Sequence, residues 1–175
     1  MAILYNKLTI RMKKISISFL CSLMIACTNQ AEEKAETVST NQIVRSVFNK
    51  GLEYCDLDFY AGTLMLHGIS EFSLLPGNED LLEEVIDYYN HFASGEIKAT
   101  GNFISYEAGG SGSAYLLWQE ATDDFKEHVA ETAEKMMKKQ RRSPEGLMTS
   151  RHVKDSHMVF IDVAFAVTPF LLYSG

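Results

Sequence analysis

Asp162 is the residue of this chain best placed to do chemistry. It is a single carboxylate near the start of Phe160-Ile161-Asp162-Val163-Ala164-Phe165-Ala166-Val167-Thr168-Pro169-Phe170-Leu171-Leu172-Tyr173, an otherwise almost wholly apolar run. An unpaired carboxylate in such surroundings is driven towards its neutral form, and a carboxylic acid that keeps its proton suits general acid catalysis. The same residue type at the same place also caps a helix beginning at Val163 by accepting its free N–H groups. From this run alone the two readings stand level. Upstream lie Arg141, Arg142, Arg151, His152, Lys154 and His157, a basic cluster between a helix end and Asp162. Arginine forks pair with carboxylates, but basic residues after a helix also complement its dipole. His152 and His157 are five apart with no Cys or carboxylate companions at ligand spacing, so no metal and no cofactor is expected. Gly109-Gly110-Ser111-Gly112 is not a phosphate loop, since no strand precedes it and no Lys follows.

The elements that must position these groups read as helices almost throughout from Asn41. Ile43, Val44, Val47, Phe48 and Leu52 recur at helix spacing, and residues 59–75 form a long apolar stretch that predicts a helix buried on most sides. Pro76-Gly77-Asn78 breaks it. Leu81, Leu82, Val85, Ile86, Tyr89 and Phe92 then mark one face of an amphipathic helix ending near Ser94-Gly95. The pattern returns after the glycine-rich loop that starts at Glu107. Residues 114–118 open an apolar helix, Thr122-Asp123-Asp124 turns it, and Phe125, Val129, Thr132, Ala133, Met136 and Met137 stripe an amphipathic one. Ser143-Pro144-Glu145-Gly146 stops that, and a third apolar helix starts around Asp162. Gly62, Gly112 and Asp162 stand 50 residues apart, each at the head of an apolar helix, as repeated helical hairpins would have them. Apolar inner helices alternating with amphipathic outer ones predict an all-α toroid. Trp118 and Cys55 are expected in its core, and Tyr106, in the loop beside the presumed cavity, against a ligand.

At 175 residues, 46% of them hydrophobic and 11% aromatic, the chain can bury the core of one domain. Its net charge of −7 and pI near 5.2 argue against a general nucleic-acid binder, which needs a basic face. Met12-Lys13-Lys14, an apolar core over residues 15–26 and Met24-Ile25-Ala26-Cys27 read as a bacterial lipoprotein signal, too short for a membrane span of about 20 residues. Residues 1–27 are thus expected as signal peptide with Cys27 lipidated, and residues 28–40 as a solvated tether. The domain, residues 41–175, is expected in the bacterial cell envelope, held to the membrane by that lipid. Cys55 then remains alone, without an internal disulfide.

Three segments carry a family resemblance: Arg142-Ser143-Pro144-Glu145-Gly146-Leu147, Phe160-Ile161-Asp162-Val163-Ala164-Phe165-Ala166-Val167, and Thr168-Pro169-Phe170-Leu171-Leu172. Together with Leu116-Leu117 and Thr122-Asp123-Asp124 they resemble the unsaturated uronyl hydrolases of glycoside hydrolase families 88 and 105, which include the rhamnogalacturonyl enzymes. Phe160 stands where that family usually has Trp, and Asp123 replaces a turn Gly. The resemblance implies an (α/α)6 barrel of twelve helices, of which about six are recognisable here. The chain is accordingly expected to be an N-terminal half, inactive without a C-terminal half. The implied substrate is a Δ4,5-unsaturated uronic acid at the end of an oligosaccharide released by a polysaccharide lyase, hydrolysed through hydration of its enol ether. Asp162 is then the acid and base. Glu107 is the nearest candidate for a second carboxylate, with a solvated loop residue as its other reading. Tyr106, Arg151, His152 and His157 are the expected substrate contacts. The alternative is a non-catalytic helical glycan-binding lipoprotein.

Overall fold

The chain is helical, and the computed structural model describes residues 38–99, 101–155 and 157–175. The expected signal peptide with Cys27, and nearly all of the tether, lie outside these residues. Within them the unit Thr40–Gly175 holds seven α-helices. They are α1 (Thr40–Tyr54), α2 (Tyr60–Ser73), α3 (Glu79–Ala93), α4 (Ser111–Trp118), α5 (Lys126–Lys139), α6 (Asp162–Ala166) and α7 (Thr168–Tyr173), with a 3-10 helix, Ile104–Ala108, before α4. No strand forms among the described residues, where Arg142 and Met148 meet as an isolated antiparallel bridge.

The outer helices follow their stripes. Leu81, Val85, Tyr89 and Phe92 are the buried residues of α3, which begins with Glu79 and Asp80 and ends with His91, charges that suit its dipole. Val129, Thr132 and Met136 are buried in α5. Between α2 and α3 the turn is held by Asn78, 5% exposed, whose Nδ2 donates to the carbonyls of Phe72 and Leu75 at 3.2 Å, adding to the backbone N–H that Leu75 gives Phe72 at the helix end.

α4 lies between α2 and α7 and packs on both. Its approach to α2 depends on glycine: a Cβ on Gly112 would stand 2.1 Å from Tyr89 Oη and 2.9 Å from the Cα of His67. Gly109 and Gly110 take φ of 78° and 79°, a left-handed turn that other residues rarely adopt, and so aim α4 at that contact. Phe48, Leu66, Val85, Phe103, Leu116, Met136 and Phe170 are fully buried in one core. Each such side chain contributes about 1.5–3 kcal/mol on leaving water.

Several sequence expectations are corrected here. The third apolar helix is two short ones, broken at Val167, because Pro169 has no N–H to continue the ladder from α6. Trp118 is 58% exposed rather than core, as the last residue of an eight-residue helix with neighbours on one side only. Cys55 is partly exposed, lying just past the end of α1. Tyr106 belongs to the 3-10 helix, not to an open loop, and is 1% exposed.

Candidate functional site

Asp162 is the first residue of α6 and does not cap it. The capping position belongs to Ile161, which makes no side-chain cap bond, and Asp162 Oδ1 is buried with no hydrogen-bond partner. Burying an acceptor without a donor costs about 1–3 kcal/mol, so this oxygen is strained by its surroundings rather than supported by them. Its charge is felt by a buried phenol. Tyr106 is held well above the usual tyrosine range, first by burial and then by the negative charge of Asp162, with a smaller contribution from Tyr60. Tyr60 is 40% exposed and meets Phe165 of α6 edge-on, ring centroids 5.8 Å apart. Tyr106 packs edge-on against Phe103 on its other side.

The position of α6 is fixed from below. Ser105 Oγ donates to the Ala166 carbonyl at 2.7 Å, tying the 3-10 helix to the end of α6. Gln140, 4% exposed, accepts from Ile104 N–H at 2.9 Å and donates to the Thr149 carbonyl at 2.6 Å, so the same helix is tied to the long loop after α5. Thr149 Oγ1 in turn donates to the Met158 carbonyl at 2.9 Å.

Glu107 and Tyr106 are neighbours on a 3-10 helix and diverge. Glu107 is bridged by Arg151 Nη1 at 3.1 Å and by Lys135 of α5. Its carbonyl, 3.0 Å from His128 Nε2, accepts from that ring nitrogen when it carries its proton. Arg151 spends the rest of its fork on the Gly101 carbonyl, with Nη2 at 2.7 Å and Nε at 3.2 Å. Both residues therefore brace the segment before Tyr106. His157 is exposed, 3.5 Å from Glu145. His152 stands elsewhere, with Lys154, Asn102, Ser150, Met158 and Phe160, in the wall of an open cavity of about 430 Å³. Arg142 donates to the carbonyls of Met137 and Gly146, the first of them in the last turn of α5.

Sequence reasoning did not single out His67. This ring is 9% exposed, 2.5 Å from Ser111 Oγ through Nδ1 and 2.9 Å from Glu71 Oε1 through Nε2. A carboxylate only accepts, so in the neutral ring Nε2 carries the proton and Nδ1 accepts from Ser111. The i to i+4 spacing of His67 and Glu71 on α2 was the available signal.

Among the described residues no group of three or more His, Cys, Asp or Glu side chains could hold a metal, and no helix is long and apolar enough to cross a membrane. No protein-family model matches the chain, and no curated protein or solved structure matches it.

Proposed function

We propose that this chain belongs to a glycoside hydrolase of the unsaturated uronyl type, acting on Δ4,5-unsaturated uronyl oligosaccharides. The observation that carries the reading is the orphaned Asp162 Oδ1, a buried carboxylate oxygen at the head of a helix that makes no use of it as a cap. Buried polar groups without partners in a folded chain call for a functional explanation.

In the proposed reaction Asp162 gives its proton to C4 of the enol ether. Water adds at C5, returns a proton to Asp162, and leaves a hemiketal. That hemiketal opens to a ketone, and the hemiacetal left at C1 collapses to free the remaining sugar. One carboxylate serves both transfers, so Glu107 is free to act as the brace for Arg151 rather than as a second acid. Tyr106 is kept neutral by its burial and by the charge of Asp162. The uronate carboxylate would meet His152 and Lys154 in the cavity wall, which also holds Asp155. In this reading α2, α4 and the α6–α7 pair are inner helices, and α1, α3 and α5 outer ones, of a partial (α/α)6 toroid. The proposal also keeps the lipid on Cys27 and the bacterial envelope as its setting.

The test is to give a lyase-generated unsaturated disaccharide to the full-length protein that carries this segment within a complete ring, and to follow the ultraviolet absorbance of the conjugated double bond. A steady loss of absorbance is expected. Binding of the disaccharide with unchanged absorbance would instead favour the non-catalytic glycan-binding lipoprotein, a reading that the exposure of Trp118 also supports.

A further inference from the structure

α2, α4 and α7 share a face on which ring meets ring. His67 and Tyr115 are stacked, centroids 5.8 Å apart at 21°. Tyr173 stands edge-on to Tyr115 at 5.3 Å, and Trp118 lies beside Tyr173 at 5.3 Å and 32°. Phe165 reaches both His67 and Tyr60, which joins this face to the Asp162 end. Trp118 is the most exposed ring of the group.

One carboxylate stands among these rings. The Glu71 side chain is 56% exposed, yet it is not left to swing: it receives the Nε2–H of His67, and the ring is held from behind by Ser111 Oγ. His67, which carries that bond, stacks on Tyr115 and so brings the carboxylate to the edge of the rings; Tyr115 is raised above the usual tyrosine range by burial first and by the charge of Glu71 second. An exposed glutamate on a helix does not need a buried Ser–His pair to hold it. A fixed acceptor beside flat apolar rings is instead what a ligand with one apolar face and a rim of hydroxyls requires.

We infer that this face is a binding platform for a neutral pyranose sugar. Trp118 and Tyr173 receive the C–H face of the sugar ring, and Glu71 accepts from its hydroxyls. The negative charge of Glu71 disfavours a uronate, so the platform takes the neutral residue of a chain whose uronyl end lies towards Asp162. The choice of a sugar over another flat ligand rests on the function proposed above, but binding here does not require Asp162 to be catalytic.

Trp118 is the only tryptophan in the sequence, so its fluorescence reports on this face directly. Titration with cellotetraose or galactotetraose is expected to change the emission saturably, and tetragalacturonate to need a several-fold higher concentration. Tyr173→Ala should weaken the neutral sugar about 2- to 10-fold, the range for loss of one aromatic partner. Glu71→Gln should narrow the gap between neutral and charged tetrasaccharides, with circular dichroism confirming both folds. The neutral tetrasaccharides carry no uronyl end, so a failure of the catalytic reading leaves the platform standing. No saturable response to either neutral tetrasaccharide overturns the proposal. So does an unchanged affinity in Tyr173→Ala, or burial of Trp118 by self-association in sugar-free protein.

Discussion

A buried carboxylate oxygen with no donor is a liability unless something uses it. If Asp162 is kept for chemistry, removing the carboxylate relieves the fold: Asp162→Leu, close to it in size and free of polar atoms, should raise stability by about 1 kcal/mol or more. A helix-capping role predicts the opposite sign, a loss of about 0.5–2 kcal/mol. Denaturant unfolding of the two proteins separates these outcomes. Asp162 was legible in the sequence because a lone charge in an apolar run has few explanations. Its choice between cap and acid was not, since that turns on where α6 begins, one residue earlier than the capping reading needs. Glu107 and Arg151 were both singled out as chemistry-bearing residues, but what they bear is each other, and their pairing across 44 positions has no signature in spacing. His67 was missed because its partner Ser111 is equally remote in sequence.

At the scale of elements, periodicity located α1 to α5 because each presents a stripe or an apolar run bounded by turn residues. It failed over residues 162–173, where the run is apolar enough for one helix and Pro169 divides it into two. Periodicity also cannot tell a core tryptophan from one at the open end of a short helix, which is the position Trp118 takes. The packing of α4 against α2 depends on a missing side chain. Gly112→Ala would push a methyl group into Tyr89 Oη and the backbone at His67, and overpacking of this kind costs about 1–3 kcal/mol. Thermal and urea unfolding should show that loss, together with a weakened His67–Ser111 contact seen as a change in the imidazole NMR signals. Stability within 0.5 kcal/mol of the parent, a small change on the scale of ordinary surface substitutions, would mean that the two helices part easily.

For the molecule as a whole, two buried phenols set its alkaline limit. Tyr89 and Tyr106 are each 1% exposed and held above their ordinary value of 10.0, chiefly by burial; a hydrogen bond with Ser70 partly offsets this for Tyr89. Above pH 10 the unfolded chain releases these protons and the folded chain keeps them. The stability they lend is therefore full below pH 10 and falls as pH rises beyond it, by about 1.4 kcal/mol per pH unit for each phenol. Urea midpoints measured between pH 9 and 11.5 should fall accordingly, and Tyr106→Phe should make that fall shallower. An unchanged slope would mean that Tyr106 titrates normally. The central claim, that Asp162 is the acid and base, is tested most directly by Asp162→Asn in the full-length protein. The amide is nearly isosteric and keeps an acceptor oxygen, but it cannot deliver a proton to C4. Circular dichroism should be unchanged while the rate at which the unsaturated disaccharide loses its ultraviolet absorbance falls by about 10²- to 10⁴-fold. Near-normal turnover by a folded Asp162→Asn protein would contradict the account.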